Sequence, residues 1–144
     1  MAIQRMDHVG VVVNDLPAAV EFFVELGLEV EGEATIEDEA ASRIVGLDGV
    51  RSEIAMLQTP DGRRVVELVK FNSPASPEGE DQEPAHVPGI RHLAFVVDDV
   101  EDLVGRMRSH DAALVGELVS YGGYKLCYVR GPEGIIVELA EVTQ

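Results

Sequence analysis

Residues 7–16 are Asp-His-Val-Gly-Val-Val-Val-Asn-Asp-Leu, and residues 91–100 are Arg-His-Leu-Ala-Phe-Val-Val-Asp-Asp-Val. The two stretches align without a gap, so a histidine and an apolar run open both halves of the chain. A second match lies near the end of each half, where residues 59–68 correspond to residues 131–139 with one residue of slack in a turn. A repeat of this kind predicts that one structural unit occurs twice.

Each half predicts a strand, a helix and three more strands. Residues 6–13 are rich in β-branched residues, and Asn14-Asp15 is a good helix N-cap with Pro17 in the first turn and Gly27 as the stop. The other strands predicted from apolar patterning and turn signals are residues 28–36, 51–58, 63–71, 90–97, 112–120, 124–130 and 135–142. A short helix is predicted at residues 39–45, and the helix of the second half should end near His110.

The predicted fold is α+β: two tandem βαβββ modules form a curved, partly open mixed sheet around a metal site. Residues 1–144 would be one domain, with a first module at 1–71, a linker at 72–89 and a second module at 90–144. The linker is rich in proline and acidic residues, and we expect His86 within it to be solvated.

Composition excludes several classes of function. The net charge of −16 argues against nucleic-acid binding and against adhesion to an anionic membrane. The single cysteine, Cys127, allows no intramolecular disulfide and favours a reducing compartment, where it would be a small buried apolar residue. No signal peptide or membrane-spanning run is predicted, so a cytoplasmic protein is expected.

Strand alternation predicts that four possible metal ligands share one face. If the alternating apolar residues of each strand pack under the helices, the opposite face presents His8, Glu67, His92 and Glu138. Two carboxylates brought together repel each other, and a bound divalent cation removes that cost. Imidazole and carboxylate ligands without thiolate suit nickel, cobalt, zinc, manganese or iron, and an octahedral ion would keep two positions open. The alternative is that the histidines are hydrogen-bonded structural residues and the glutamates are solvated.

The openings and endings of the two halves resemble those of the vicinal oxygen chelate superfamily. The similar stretches are His-Val-Gly-Val-Val-Val-Asn-Asp-Leu at residues 8–16 and Gly-Pro-Glu-Gly-Ile-Ile-Val-Glu-Leu at residues 131–139. That superfamily includes glyoxalase I, methylmalonyl-CoA epimerase, extradiol dioxygenases, and the fosfomycin and bleomycin resistance proteins. The resemblance covers nearly the whole chain and implies the tandem fold; a fold alone does not name a substrate.

The ligand set is most similar to that of bacterial-type glyoxalase I. His8, Glu67, His92 and Glu138 fall on the four family metal positions, whereas the epimerases usually carry Gln where this chain has Glu67. Extradiol dioxygenases and fosfomycin transferases use three protein ligands, and the bleomycin-binding members lack them. Residues 47–57 differ from the glyoxalase I pattern, and no obvious set of glutathione-binding residues is present.

The resemblance implies a metal-dependent lyase or isomerase that transfers a proton next to a carbonyl through a metal-stabilised enediolate. Glu138 is the first choice for the base and Glu67 the second. The substrate would be a small carbonyl compound or a thioester, and a homodimer is expected. The alternatives are an acyl-CoA epimerase similar to methylmalonyl-CoA epimerase and a non-enzymatic small-molecule binding protein.

Several further residues are candidates for the rim of the site. Tyr121, Tyr124 and Lys125 follow or form a glycine-bearing turn, although ordinary turn and strand roles explain them equally well. Arg51, Arg63 and Arg64 are candidates for binding a substrate carboxylate or phosphate. Strand alternation predicts that the adjacent Arg63 and Arg64 point to opposite faces, so that at most one of them can serve the site.

Overall fold

A computed structural model describes residues 2–79 and 82–143. The chain falls into two compact units, Met1–Glu78 and Gly79–Gln144. Residues 80 and 81 of the predicted linker lie outside the described residues. Within the described residues, no helix combines the length and the apolar character needed to cross a bilayer.

The first unit is a four-stranded mixed sheet with two helices. Its elements in chain order are β1 (Val9–Val12), α1 (Leu16–Leu26), β2 (Glu29–Ile36), α2 (Glu39–Val45), β3 (Arg51–Gln58) and β4 (Arg64–Ser73). The strand order is β1-β4-β3-β2, in which β1 runs parallel to β4 and the other neighbours are antiparallel.

The second unit repeats this plan with one helix. Its elements are β5 (His92–Val97), α3 (Val100–Met107), β6 (Ala113–Leu114), β7 (Val119–Tyr121), β8 (Tyr124–Arg130) and β9 (Ile136–Val142), and single 3-10 turns occupy Arg108–His110 and Pro132–Gly134. The sheet order is β5-β9-β8-β6, with β7 also paired to β8 and β5 parallel to β9. The α+β fold of two tandem modules is therefore confirmed.

Each core lies between a sheet and its first helix. In the first unit, Phe22 and Phe23 of α1 are buried together with Val66 and Leu68 of β4. In the second unit, the buried residues of α3 are Val100, Leu103, Val104 and Met107, and those of β9 facing the helix are Val137 and Leu139. Burial of these alternating apolar residues drives the sheet and helix together and confirms which strand face is covered.

The helix boundaries follow the predicted signals. The Asp15 carboxylate accepts from the backbone N–H of Ala18, and Gly27 ends α1 with φ +121°, a conformation that a side chain disfavours. Asp99 caps α3 in the same way by accepting from the backbone N–H of Asp102. The two matched caps show that the repeat includes the N-termini of the helices.

The predicted single strand at 112–120 is wrong. The structure divides it into β6 and β7, and the intervening segment contains Gly116. Glycine weakens a strand interior because it has no side chain to pack and loses the most backbone entropy. β1 and β5 are also shorter than predicted, beginning at Val9 and His92.

Candidate functional site

The parallel strand pair of the first unit places Glu67 opposite Gly10. The register between β1 and β4 pairs Val9 with Val66 and Gly10 with Glu67, and His8 lies directly before β1. Glu67 is half-buried, and glycine opposite it leaves space above the carboxylate. The first unit therefore contributes one imidazole from just before β1 and one carboxylate from within the neighbouring β4.

The second unit repeats this register with its own histidine and glutamate. Ala94 pairs with Glu138 and His92 with Ile136, so His92 and Glu138 lie on the same face two positions apart. His92 Nε2 is 3.3 Å from Glu138 Oε1. The exposed fraction of these side chains is 36% for His92 and 23% for Glu138, so solvent or a small ligand can reach both.

Tyr128 joins this pair from β8 and was missed by the sequence interpretation. The antiparallel register places Tyr128 directly opposite Glu138, and its ring centroid lies 4.8 Å from that of His92. The Tyr128 hydroxyl is 3.3 Å from His92 Nδ1. The spacing of Tyr124 and Tyr128 on one strand face is a sequence signal, but the strand register is needed to bring it to Glu138.

His8 is held by its neighbour Asp7. Asp7 Oδ2 lies 2.7 Å from His8 Nδ1, and Asp7 Oδ1 accepts from Arg5 Nη1 at 2.8 Å. These two hydrogen bonds, that from His8 first, hold the pKa of the Asp7 carboxyl below its ordinary value. An ionised carboxylate can only accept, so His8 Nδ1 is the donor of this hydrogen bond; in a neutral imidazole with that tautomer, Nε2 is the atom with a lone pair. Such an outer carboxylate is the usual support of a histidine that binds a metal.

An open cleft lies beside His92. Its volume is about 550 Å³, and its lining includes His86, Val87, Arg91, His92 and Tyr128. The expectation that His86 is simply a solvated linker residue is therefore incomplete, because His86 is exposed but also borders this cleft.

Residues of the predicted linker are attached to the second unit. The backbone carbonyl of Glu83 accepts from Arg130 Nη2 at 2.7 Å, and the Glu83 carboxylate pairs with Arg91. These contacts anchor the chain next to β8 and so hold the wall of the cleft in place. A composition rich in proline and acids does not reveal such anchors, because their basic partners come from elsewhere in the sequence.

The donor set suits a divalent ion, although each unit supplies only part of it. Two imidazoles and two carboxylates without thiolate are ligands that first-row divalent metals accept. Among the described residues, no group of three or more His, Cys, Asp or Glu side chains is gathered in a way that could hold a metal. In the second unit His92 and Glu138 are in contact, and in the first unit His8 lies two positions before Gly10, the strand partner of Glu67.

Two of the candidates for the rim, Tyr124 and Lys125, lie on opposite faces of the sheet. Lys125 Nζ donates to Glu101 Oε1 of α3 at 2.8 Å, which places Lys125 on the helix side of the sheet. This ion pair also raises the pKa of Lys125. Tyr124 lies on the same face as Tyr128, four residues away, and Tyr121 is 75% exposed at the end of β7.

The arginine candidates divide into two places. Arg51 pairs with Glu37 at 3.4 Å beside α2, whereas Arg63 and Arg64 line one cleft with Arg5, Met6, Asp7 and Gly62. Both arginines border this cleft, and the expectation that at most one of them serves the substrate site stays a prediction. The register between β3 and β4 shifts between Leu57 and Gln58, so strand alternation does not apply at the start of β4.

Cys127 is buried, as expected of a small apolar residue. Its relative exposure is 4%, and burial raises the pKa of its thiol. A neutral buried thiol is a poor nucleophile and a poor metal ligand.

Comparisons with known proteins agree with this architecture. A model of the Glyoxalase/Bleomycin resistance protein/Dioxygenase superfamily matches residues 5–139. A solved glyoxalase family protein from Bacillus cereus is 43% identical, with 100% of this chain and 99% of that chain covered and a TM-score of 0.94. The trypanothione-dependent glyoxalase I of Leishmania major is 25% identical, with 96% and 87% covered and a TM-score of 0.67.

Curated relatives extend the similarity over almost the whole length of the chain. The uncharacterized Bacillus subtilis protein YwbC is 27% identical over 140 residues, which are 94% of this chain and 95% of that protein. The uncharacterized Escherichia coli protein YaeR is 26% identical over 143 residues, with 98% of both chains covered. The duplicated fold and the family match over residues 5–139 lead to one conclusion: the chain belongs to the Glyoxalase/Bleomycin resistance protein/Dioxygenase superfamily.

Proposed function

We propose that the protein is a metal-dependent lyase or isomerase of glyoxalase type, which moves a proton next to a carbonyl group. The observation that carries the proposal is a strand register that occurs in both units. Glu67 pairs with Gly10, two residues after His8, and Glu138 pairs with Ala94, two residues after His92. A solvated surface glutamate would not need to occur at the same register in both units.

In this proposal, His8, Glu67, His92 and Glu138 together hold one divalent ion, either within one chain or between two chains. When bound, the ion would polarise the substrate carbonyl and stabilise the negative charge that develops as the proton leaves. Nickel, cobalt, zinc, manganese and iron all suit these donors.

Glu138 is the proposed base, and Glu67 is the second choice. Glu138 is partly accessible and has no bulky neighbour at Ala94, so it can accept a proton from a substrate carbon and return it. Tyr128 flanks the same carboxylate and would orient His92 through its hydroxyl group. The substrate would be a small carbonyl compound or a thioester.

Epimerisation of an acyl thioester is the second candidate. It requires the same proton step, and the opening residues 8–16 are similar to those of the epimerases. A non-enzymatic binding protein is the alternative of another class, and the test below separates it from both enzymes.

Metal binding is tested with protein purified without chelators. Elemental analysis should find about one divalent ion per set of four ligands, and saturating metal should raise the melting temperature. A ligand at a hundredfold excess over its dissociation constant adds roughly 2.7 kcal/mol to stability. No change of melting with nickel, cobalt, zinc, manganese or iron would contradict the site.

Two substitutions separate ligand from base, with solvent deuterium exchange into α-hydroxycarbonyl compounds and acyl thioesters as the assay. His8→Ala should recover part of its activity in excess metal, because it removes a ligand and leaves the base. Glu138→Gln should not recover, since general-base catalysis contributes about 10²–10⁴-fold. Glu31→Gln, at an exposed position of β2, is the matched control.

Full exchange by metal-loaded Glu138→Gln would exclude Glu138 as the base and favour Glu67. Absence of exchange by the unmodified protein with every compound would favour the binding protein.

A further inference from the structure

The first unit contains a basic cleft in a protein whose net charge is −16. The cleft has a volume of about 550 Å³ and is lined by Arg5, Met6, Asp7, Gly62, Arg63 and Arg64. This volume lies within the range of sites that bind small molecules. The acidic protein as a whole repels anions, so a cleft that gathers three arginines changes the local potential.

Parallel pairing of β1 and β4 creates this cleft. Because Val9 pairs with Val66, the residues that precede the two strands emerge at the same edge of the sheet. Arg5 lies in the segment before β1. Arg63 follows the turn at Gly62, whose φ is +88°, and Arg64 is the first residue of β4.

The fold itself does not need these arginines. The repeat aligns Arg5 with Gly89, and residues 63–65 correspond to Ile135 and Ile136, which carry no charge. The second unit builds the same parallel strand pair without them. A basic group that the duplicated structure does not require points to a ligand.

The charges of the cleft are only partly neutralised by the protein. Arg5 pairs with Asp7 at 2.8 Å, and Arg63 lies 4.0 Å from Asp61 with a side chain that is 85% exposed. Among the described residues, Arg64 forms no ion pair and acts on Asp7 through longer-range attraction. The lining residues, three arginines and one aspartate, carry a formal charge of +2, which becomes +1 when Asp61 beside Arg63 is counted.

We propose that Arg5, Arg63 and Arg64 bind a phosphate monoester group of the substrate. A phosphate monoester is an anion at pH 7 and offers three strong acceptor oxygens to the three arginines, whereas a carboxylate offers two oxygens. The guanidinium fork also presents paired donors to phosphate oxygens. The cleft lies beside His8, so such a group would anchor a substrate whose carbonyl reaches the proposed metal. The identification of the ligand as substrate rests on the proposed function, whereas phosphate binding does not.

The test is a titration of the full chain with phenyl phosphate, using benzoate as the matched carboxylate probe. Backbone amide NMR signals of residues 5–7 and 62–64 should shift with phenyl phosphate and shift much less with benzoate. Arg64→Gln should weaken phenyl phosphate binding about tenfold, the loss of one charge-assisted hydrogen bond. Arg64→Lys should retain part of the affinity because it keeps the charge.

Arg108→Gln is the matched control, since it removes the same charge from an exposed position of the second unit. Each variant is first shown to melt as the unmodified protein does. Equal binding of benzoate, unchanged affinity in Arg64→Gln, an equal loss in Arg108→Gln, or signal shifts confined to other residues would each overturn the proposal. The titration needs neither metal nor turnover, so its failure is distinguishable from a failure of the proposed reaction.

Discussion

The hydroxyl of Tyr128, on β8, lies beside the imidazole of His92, on β5. Its distances of 3.3 Å to Nδ1 and 3.5 Å to Nε2 indicate a modest hydrogen bond on a partly exposed pair. Tyr128→Phe should therefore lower the free energy of unfolding by less than about 1 kcal/mol. Tyr128→Ala should lower it further because the ring contact is also lost. Urea unfolding measures the free energies of both variants, and Tyr124→Phe is the control on the same strand face. Equal losses of stability in Tyr128→Phe and Tyr128→Ala would contradict a contribution from the ring contact.

Asp7 determines which nitrogen of His8 is available. The contact at 2.7 Å leads us to expect that Nδ1 carries the proton, which ¹⁵N chemical shifts of the ring report without any metal. Asp7→Asn should weaken metal binding about 10–100-fold, the usual effect of losing an outer carboxylate. Competition with a fluorescent chelator measures the affinity, and Asp98→Asn controls for removing a negative charge. A proton found on Nε2 instead would exclude this role of Asp7.

At the scale of the elements, the duplicated N-caps make matched stability predictions. Asp15 accepts from Ala18 N at 3.1 Å, and Asp99 accepts from Asp102 N at 3.0 Å. Asp15→Ala and Asp99→Ala should each lower the free energy of unfolding by about 1 kcal/mol, because each leaves a helix N–H unpaired. Asp98→Ala, one position before a cap, is the control. A loss in Asp98→Ala equal to that in Asp99→Ala would contradict the capping assignment.

The turn between β3 and β4 should contribute to the free energy of unfolding by an amount that depends on pH. The hydroxyl of Thr59 and the backbone N–H of Arg63 donate to Asp61, and these bonds, Thr59 first, lower the pKa of its carboxyl below 3.8. A depressed folded-state pKa stabilises the fold above the unfolded-state value, and this contribution disappears as the pH falls through the folded-state pKa.

The free energy of unfolding, measured with urea, should therefore differ more between the unmodified protein and Asp61→Asn at pH 7 than near pH 2. Asp48→Asn, in another exposed turn, is the control for removing one negative charge. A difference for Asp61→Asn that is independent of pH would show that the ionised carboxylate does not stabilise the turn.

At the scale of the whole molecule, we predict a homodimer. Large apolar side chains remain exposed in the isolated chain, among them Ile44 at 85% and Val96 at 72%. Exposed apolar surface of this kind favours association because burial removes it from water. Light scattering coupled to size-exclusion chromatography measures the mass, with 15.6 kDa expected for one chain. A monomer at high micromolar concentration would contradict the prediction and place all four proposed ligands on one chain.

Much of the fold could be predicted because its signals are local. The capping aspartates, the stop at Gly27, the short helix at residues 39–45 and the alternation of the strands are each written in consecutive residues. The internal repeat then indicated that both halves share one plan, and the two sheets have the same strand order. The prediction was wrong at 112–120, where apolar patterning favoured a continuous strand but the chain pairs with β8 in two separate pieces.

The sequence by itself determined the tandem α+β architecture and drew attention to His8, Glu67, His92 and Glu138, because periodicity and duplication survive without knowledge of long-range pairing. Only the tertiary structure decided which side chains meet across strands. The β8–β9 register brought Tyr128 opposite Glu138, and parallel pairing of β1 with β4 gathered Arg5 with Arg63 and Arg64. The physical reason is that cross-strand neighbours depend on register and on a local bulge, and a shift of one residue reverses the face of every side chain.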